Sequence, residues 1–373
     1  MWSWFKREAP RDCQVRLGAD GPVLALPRDE ILLAGALARG IDYPHNCRVG
    51  TCGQCKTRLI SGQIKPMMDF ALSPLTAAEL RDGYVLACQS KVRSDLVIHL
   101  PEDRREHRHA RIASVQRLPG DVMALQLALE RPLAFRAGQY AELSLDGPTL
   151  TRAYSFAHAP REGGDDSVGF LIRRMPGGAF SDRLWAEAAP GLPMRVSGPF
   201  GAMGGRGGVG AAHADPDIDA DALCVAGGTG LAPVVSIVED RLRHSSRARF
   251  LILLGLRRAQ DQFAAPILER LEIASGGRVR SRIVLSDEPA DSAWRGARGP
   301  VTDQITPALL AECGARTAYL CGNAAMVQAG QGRLRALGWS DAHIHTDAFV
   351  ASGTPAAAPQ APTPPLVPTV RPA

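Results

Sequence analysis

The chain divides into an α+β unit followed by a two-part region, an antiparallel β-barrel and then a parallel α/β unit. Three observations carry this. First, 373 residues are enough for two or three domains at about 100–200 residues each. Second, the apolar pattern changes from short alternating runs to strands that alternate with helical segments after residue 221. Third, two composition shifts fall between units: the charged stretch 101–109, and residues 201–212, where six of twelve positions are glycine.

Along the first unit, Val15, Leu17, Val23, Leu24 and Leu26 alternate on either side of a Gly18–Gly21 turn and predict a hairpin. Ile31, Leu32, Ala34 and Leu37 have helical spacing, with Gly40 as the stop. Residues 43–58 read as an irregular loop. Arg58–Ile60, Tyr84–Cys88 and Asp95–Leu100 read as strands. In the second unit, Ile112, Val115, Val122, Leu125, Leu127 and Leu129 predict a hairpin. Tyr140–Leu145, Arg152–Ala157 and Gly169–Arg174 add strands, and Phe180–Ala186 a short helix. Many short strands with turn signals between them predict a barrel. The third unit alternates: strands at Leu223–Ala226, Phe250–Leu254, Arg282–Leu285 and Ala318–Leu320, with helices at Ala232–Leu242, Pro266–Ile273 and Ala324–Leu337. That rhythm means a parallel sheet. The expected boundaries are 14–101, 106–203 and 222–350, with a Gly/Asp-rich linker at 204–221. A tail at 351–373, with seven prolines in 23 residues, is expected to be disordered.

Composition excludes several classes. Hydrophobic residues make up 45% and charged residues 22%, so the chain as a whole is not disordered. No apolar run reaches the ~18 residues of a membrane-spanning helix, and Met1–Pro10 lacks the apolar segment of a secretory signal. A net charge of +5, spread along the chain, does not argue for nucleic acid. Eight cysteines without a signal segment suit a metal or redox centre in a reducing cytoplasm better than a disulfide framework.

Cys47, Cys52 and Cys55 have the spacing C-x4-C-x2-C, and Cys88 supplies a fourth thiol. This is the plant-type [2Fe–2S] pattern. Gly50 and Gly53 allow the backbone to curl closely around a cluster. The alternative is zinc, whose loops usually carry two paired C-x2-C elements, whereas one is present here. The segment Pro44–Cys55, with Leu86-Ala87-Cys88-Gln89 and Ser94-Asp95-Leu96, resembles the ferredoxin domain of oxygenase reductases. These proteins join a β-grasp ferredoxin to a ferredoxin–NADP reductase-like module. The resemblance makes Cys47, Cys52, Cys55 and Cys88 the cluster ligands.

The same family is resembled, in the same order, by Arg152-Ala-Tyr154-Ser155, by Gly177-Gly178-Ala-Phe180-Ser181 and by Gly198-Pro199-Phe200-Gly201. It implies that Arg152 meets an FAD phosphate and that Tyr154 and Ser155 meet the isoalloxazine. Gly177, Gly178 and Ser181 would hold the pyrophosphate. An arginine fork and a glycine-rich turn suit those tasks chemically. Further on, Gly227-Gly228-Thr229-Gly230-Leu-Ala-Pro233 follows a strand and opens a helix, the setting for a dinucleotide turn. It departs from the usual GxGxxG, with Pro233 at the third glycine, but is similar to the family's form. Leu254-Gly255-Leu-Arg257 and Tyr319-Leu-Cys321-Gly322 resemble the next landmarks, with Asn323 where members often have proline. The family implies that Thr229 lies near the nicotinamide, that Cys321 and Gly322 border the hydride-transfer site and that Phe349 shields the flavin. Ser155, Thr229 and Cys321 are thus the expected catalytic positions. Gly228, Gly230, Arg257 and Asp287 are expected to bind the nucleotide.

The implied activity is electron transfer from NADH, with NADPH the poorer donor, through FAD and the cluster to a partner protein. That partner is a terminal oxygenase, a ring-hydroxylating dioxygenase or diiron monooxygenase, or an intermediate acceptor. Two alternatives stay open: an electron-conducting subunit of a stable complex, and the reductase of a deoxysugar dehydratase system.

Overall fold

The computed structural model describes residues 11–349 except 19, 42, 46–47, 49, 51–52, 68–74, 76, 101–106, 146–149, 202 and 204–217. Cys47, Cys52, most of the expected linker and the tail 351–373 lie outside the described residues.

The first unit contains β1 (Cys13–Leu17), β2 (Val23–Leu26), α1 (Leu32–Ala38), β3 (Lys56–Ser61), β4 (Ile64–Pro66), α2 (Ala77–Arg81), β5 (Tyr84–Leu86), β6 (Ser90–Val92) and β7 (Leu96–His99). Five strands form a mixed sheet in the order β2-β1-β7-β3-β5, with β1 and β7 parallel. β4 and β6 form a separate antiparallel ribbon. Val15, Leu26, Leu32, Ala36 and Ile98 fill the space between sheet and α1, the arrangement of a β-grasp. The expected strand Tyr84–Cys88 stops at Leu86 and gives way to a single 3-10 turn, Ala87–Gln89. The Ala87 N–H donates to the Cys55 carbonyl at 3.0 Å and the Ser90 hydroxyl to the Leu86 carbonyl at 2.8 Å, so the chain turns toward the cysteine loop.

The second unit contains β8 (His107–Leu118), β9 (Val122–Leu133), β10 (Tyr140–Ser144), β11 (Thr151–Ser155), β12 (Asp165–Arg173), α3 (Ser181–Glu187) and β13 (Pro193–Phe200). The order is β11-β10-β13-β8-β9-β12, antiparallel throughout. The expected barrel is observed as a six-stranded sheet whose end strands approach through one isolated bridge, Phe156 to Phe170. β13 is not among the expected strands, and its run holds Pro193, Gly198 and Pro199. Pro193 stands at its first residue, and a register shift opposite Tyr140–Glu142 absorbs Gly198-Pro199.

The third unit contains β14 (Ala222–Gly227), α4 (Leu231–His244), β15 (Phe250–Leu256), α5 (Ala265–Ala274), β16 (Val279–Leu285), β17 (Ala297–Arg298), α6 (Pro307–Cys313), β18 (Thr317–Asn323), α7 (Ala324–Ala336) and β19 (Ile344–Phe349). Its sheet is parallel, in the order β17-β16-β15-β14-β18-β19. Strand order reverses between β14 and β18, and ligands of such sheets bind at that crevice, beyond the carboxyl ends of the strands. The central strands are apolar on both faces, as burial on both sides requires: Leu223, Cys224, Val225, Ile252 and Leu253 are fully buried.

The second and third units share a core. Val122, Ala137, Leu171 and Met203 pack into the same buried cluster as Ala232, Val235 and Leu256. The Gly138 N–H donates to Ser236 Oγ at 3.4 Å and the Ala159 N–H to Glu239 Oε2 at 3.0 Å across the junction.

Arg241 on α4 is a buried cation. Its guanidinium donates to the carbonyls of Ile218 (2.9 Å) and Ala220 (2.7 Å), so it holds the chain entering β14, and it lies 5.2 Å from the Phe250 ring centroid. Arg241→Met keeps the bulk and strips the donors from those carbonyls. The expected loss is about 3 kcal/mol of stability in the third unit, read as a shifted denaturation midpoint.

Candidate functional site

A cleft of about 1100 Å³ opens between the β10–β11–β12 face and the carboxyl ends of the parallel strands. That is room for a flavin and a nucleotide together, at the upper end of small-molecule sites. Arg152, Tyr154, Ser155, Gly177, Gly178 and Ser181 line one side, and Gly228, Thr229, Arg257 and Phe349 the other. Gly230, Asp287, Cys321 and Gly322 do not line it.

On the sheet side, β11 presents Arg152, Tyr154 and Ser155 against β10, with Ser155 opposite Tyr140. Tyr154 is 5.8 Å from Phe180, centroid to centroid, and burial pushes its phenol well above the usual tyrosine range, so it stays neutral. Gly177 has φ +73, with open space where a side chain would stand. The backbone is therefore free to approach a phosphate closely. At Gly178 a Cβ would sit 2.8 Å from both the Met175 carbonyl and Ser181 Oγ. Ser181 Oγ accepts from the Met175 N–H at 3.0 Å. Asp182 accepts from the Gly177 N–H at 2.6 Å and from Arg174 Nε at 2.6 Å, and these bonds hold its carboxyl below the usual range. The glycine turn is thus braced from within its own loop.

On the nucleotide side, Gly228 has φ +55 and begins a 3-10 turn, Gly228–Gly230, that runs into α4. A Cβ on Gly230 would lie 2.3 Å from the Cys321 carbonyl oxygen. Gly230 therefore lets the start of α4 press against β18, and its task is packing. Cys321 is fully buried beneath the cleft, register partner of Asp347. Burial, reinforced by the Asp347 charge, pushes its thiol well above the usual cysteine value, so it is a neutral SH group and no nucleophile at neutral pH. Phe349, partly exposed, stands beside Asn323 at the ends of β19 and β18. Asp287 lies outside the cleft lining, where its Oδ2 is 3.4 Å from Arg257 Nη2 and 3.1 Å from Arg258 Nη2.

Arg173 and Asn323 are among the lining residues missing from the expected site. Arg173, at the end of β12, reaches into the cleft toward Gly228. The adjacent arginines Arg173 and Arg174, just ahead of the Gly177-Gly178 turn, were the available signal. Asn323 caps α7, its Oδ1 accepting from the Met326 N–H at 2.9 Å. It thereby gives the helix start a side-chain cap that proline cannot supply.

In the first unit, Cys55 and Cys88 meet: the Cys88 N–H donates to Cys55 Sγ at 3.4 Å, and Gln89 Nε2 is 3.9 Å from Cys88 Sγ. Gly50 and Gly53 take positive φ, +89 and +74. Tyr43, buried behind the loop, bonds Thr57 Oγ1, which donates to the Cys55 carbonyl at 3.2 Å. His45 Nδ1 is 2.7 Å from the Tyr43 carbonyl, and Arg48 Nη2 is 3.1 Å from His45 Nε2. A backbone N–H and a side-chain amide aimed at thiol sulfurs, with left-handed glycines, fit a [2Fe–2S] cluster, whose sulfurs such donors stabilise. The open glycine turns and the arginines of the cleft fit FAD and a nicotinamide nucleotide in the same way.

The class is therefore an iron–sulfur flavoprotein oxidoreductase that uses a nicotinamide nucleotide. Family models match in the same three places: a 2Fe-2S iron-sulfur cluster binding domain over residues 21–93, an oxidoreductase FAD-binding domain over 109–204 and an oxidoreductase NAD-binding domain over 224–331. The chain is 32% identical to the xylene/toluene monooxygenase electron transfer component of Pseudomonas putida, over 91% of this chain and 94% of that protein. It is 35% identical to the naphthalene 1,2-dioxygenase system ferredoxin–NAD(P)(+) reductase component of Pseudomonas putida, over 84% and 92%. Among solved structures, the Amycolatopsis cytochrome P450 reductase superposes with a TM-score of 0.62 at 28% identity, covering 90% of this chain and 98% of that one. The chain belongs to the electron-transfer reductase components of oxygenase systems.

Gly230→Ala should separate packing from ligand contact. The forced overlap with the Cys321 carbonyl is expected to cost about 1–3 kcal/mol and to weaken nucleotide binding by displacing the turn. Gly228→Ala meets only an arginine side-chain tip at 3.9 Å and should show the smaller loss of thermal stability.

Proposed function

We propose that this chain carries electrons from NADH to the terminal oxygenase of a ring-hydroxylating dioxygenase or diiron monooxygenase system, directly or through an intermediate acceptor protein. The supporting observation is the single cleft in which the flavin-type and nucleotide-type motifs face each other, attached to a ferredoxin unit with its own core. When bound, the FAD supplies hydride acceptance from the nucleotide and the [2Fe–2S] cluster supplies one-electron transfer. The chain's residues bind, orient and exclude water. Arg152 and the Gly177–Ser181 turn hold the flavin's phosphates, while Tyr154 and Ser155 set its ring against β11. Gly228 and Thr229 would seat the nucleotide, and buried, neutral Cys321 and Gly322 would back the turn that holds it, through the contact of Gly230 with the Cys321 carbonyl. Phe349, on the cleft lining, would shield the flavin. Cys47, Cys52, Cys55 and Cys88 ligate the cluster.

We place the units at 14–101, 106–203 and 222–350, joined by 204–221 and followed by a tail, and we read the six-stranded sheet of the second unit as a barrel. The described residues include no helix long and apolar enough to cross a membrane. Thiolate ligation of a cluster suits a reducing cytoplasm.

Cys88→Ala tests the route. Cys88 and Cys55 belong to the first unit's separate core, so the flavin and nucleotide units should fold in the variant. Flavin absorption and NADH–ferricyanide turnover are expected to persist. Cluster absorption and most cytochrome c reduction should disappear. Wild-type cytochrome c reduction without the cluster would place the exit at the flavin.

NADH should exceed NADPH in kcat/KM by roughly tenfold or more, about 1.4 kcal/mol. Asp287 already pairs with Arg257 and Arg258, so it competes with a 2′-phosphate for those cations and adds repulsion of its own. A measured preference for NADPH would sink this assignment.

A further inference from the structure

Only four of the 43 basic residues are lysines, and two of them, Lys65 and Lys91, are direct cross-strand partners on the β4–β6 ribbon. Like charges placed opposite each other on a ribbon destabilise it. Here the flanking pair, Ile64 and Val92, packs into the core, so the alternation of the strands turns Lys65 and Lys91 to the outer face. Among the described residues neither lysine makes an ion pair, whereas the neighbouring cations do. Arg93 is 2.7 Å from Asp29, Arg39 is 3.4 Å from Glu30, and Lys56 bonds Glu79. Asp29 and Glu30, whose backbones bond β6 at Val92, are thus already engaged by arginines.

The ribbon adjoins the cluster ligand. β6 begins two residues after Cys88, and the Met67 N–H donates to the Gln89 carbonyl at 2.9 Å, closing β4 onto the turn that carries Cys88. Lys91 is three residues from Cys88, so even a fully extended chain would keep it within about 10 Å of that ligand.

We infer that the outer face of the β4–β6 ribbon is the docking surface for the electron-accepting protein, and that the acceptor presents a carboxylate-rich patch to Lys65 and Lys91. The inference rests on the proposed function and specifies its partner's chemistry. A cation pair with no ion-pair partner among the described residues, placed beside the exit ligand, attracts an acidic partner over a Debye length and orients it with its redox centre toward the cluster. The cost to the ribbon is recovered when the partner's carboxylates arrive.

The test uses the holoenzyme and two forms of one acceptor: native cytochrome c, which is basic, and succinylated cytochrome c, whose lysines carry carboxylates. One NADH reduces two molecules of either. For the wild type, kcat/KM for the succinylated form should fall steeply with salt. In Lys65→Gln/Lys91→Gln it should drop roughly tenfold at low salt and lose most of that salt dependence. Native cytochrome c should be reduced as fast or faster by the variant, and ferricyanide turnover and cluster absorption should be unchanged. Lys65→Arg/Lys91→Arg should retain the wild-type salt slope. Equal loss with both cytochromes, or no loss with the succinylated form, overturns the docking surface while leaving the functional reading intact. If wild-type enzyme reduces ferricyanide but neither cytochrome, the functional reading itself fails, and the inference with it.

Discussion

The cleft exists because the second and third units share one apolar core. Leu171 on β12 and Val122 at the start of β9 are buried in the same cluster as Ala232 and Val235 of α4 and Leu256 of β15. Each large apolar side chain removed from water contributes about 1.5–3 kcal/mol, so a handful of such contacts holds two sheets in one relative position. Short bonds across the junction, from Arg243 to the Pro160 carbonyl at 2.7 Å and from Ala159 to Glu239, set its register. Every pairing of a flavin-side residue with a nucleotide-side residue follows from that seam.

The ferredoxin unit obeys a different rule. Its core, from Cys13 to Ile98, is closed on itself. Side chains beside the described end of the cysteine segment are linked to one another. Tyr43 is held by Thr57, Thr57 by the Cys55 carbonyl, and His45 by Arg48 and the Tyr43 carbonyl. Burial raises the Tyr43 phenol far above its ordinary value, so it stays protonated and serves as a neutral strut.

Around the cleft the buried titratable groups are neutral. Tyr154 and Cys321 both have their pKa raised by burial, hence both keep their protons through neutral pH. No proton need move at these atoms while hydride is exchanged. Their contribution is shape and low polarity, and the cations Arg152 and Arg173 stand on the cleft lining.

Much of this was readable from the residues in order. Cysteine spacing, the Arg152–Ser155 run and the Gly227–Gly230 turn are local patterns, each set by what a few consecutive residues allow, and the alternation of strand and helix after residue 221 is equally local. Sequence alone did not reveal β13, because the shift that accommodates Gly198-Pro199 belongs to its pairing with β10. It also could not distinguish Gly228, open to the cleft, from Gly230, pressed on the Cys321 carbonyl 91 positions away. Nor did it show that Asp287 faces two arginines or that Lys65 stands opposite Lys91. Those facts are distances between residues remote in the chain. Side-chain packing and strand register decide such distances, and neither is a property of any short stretch of sequence.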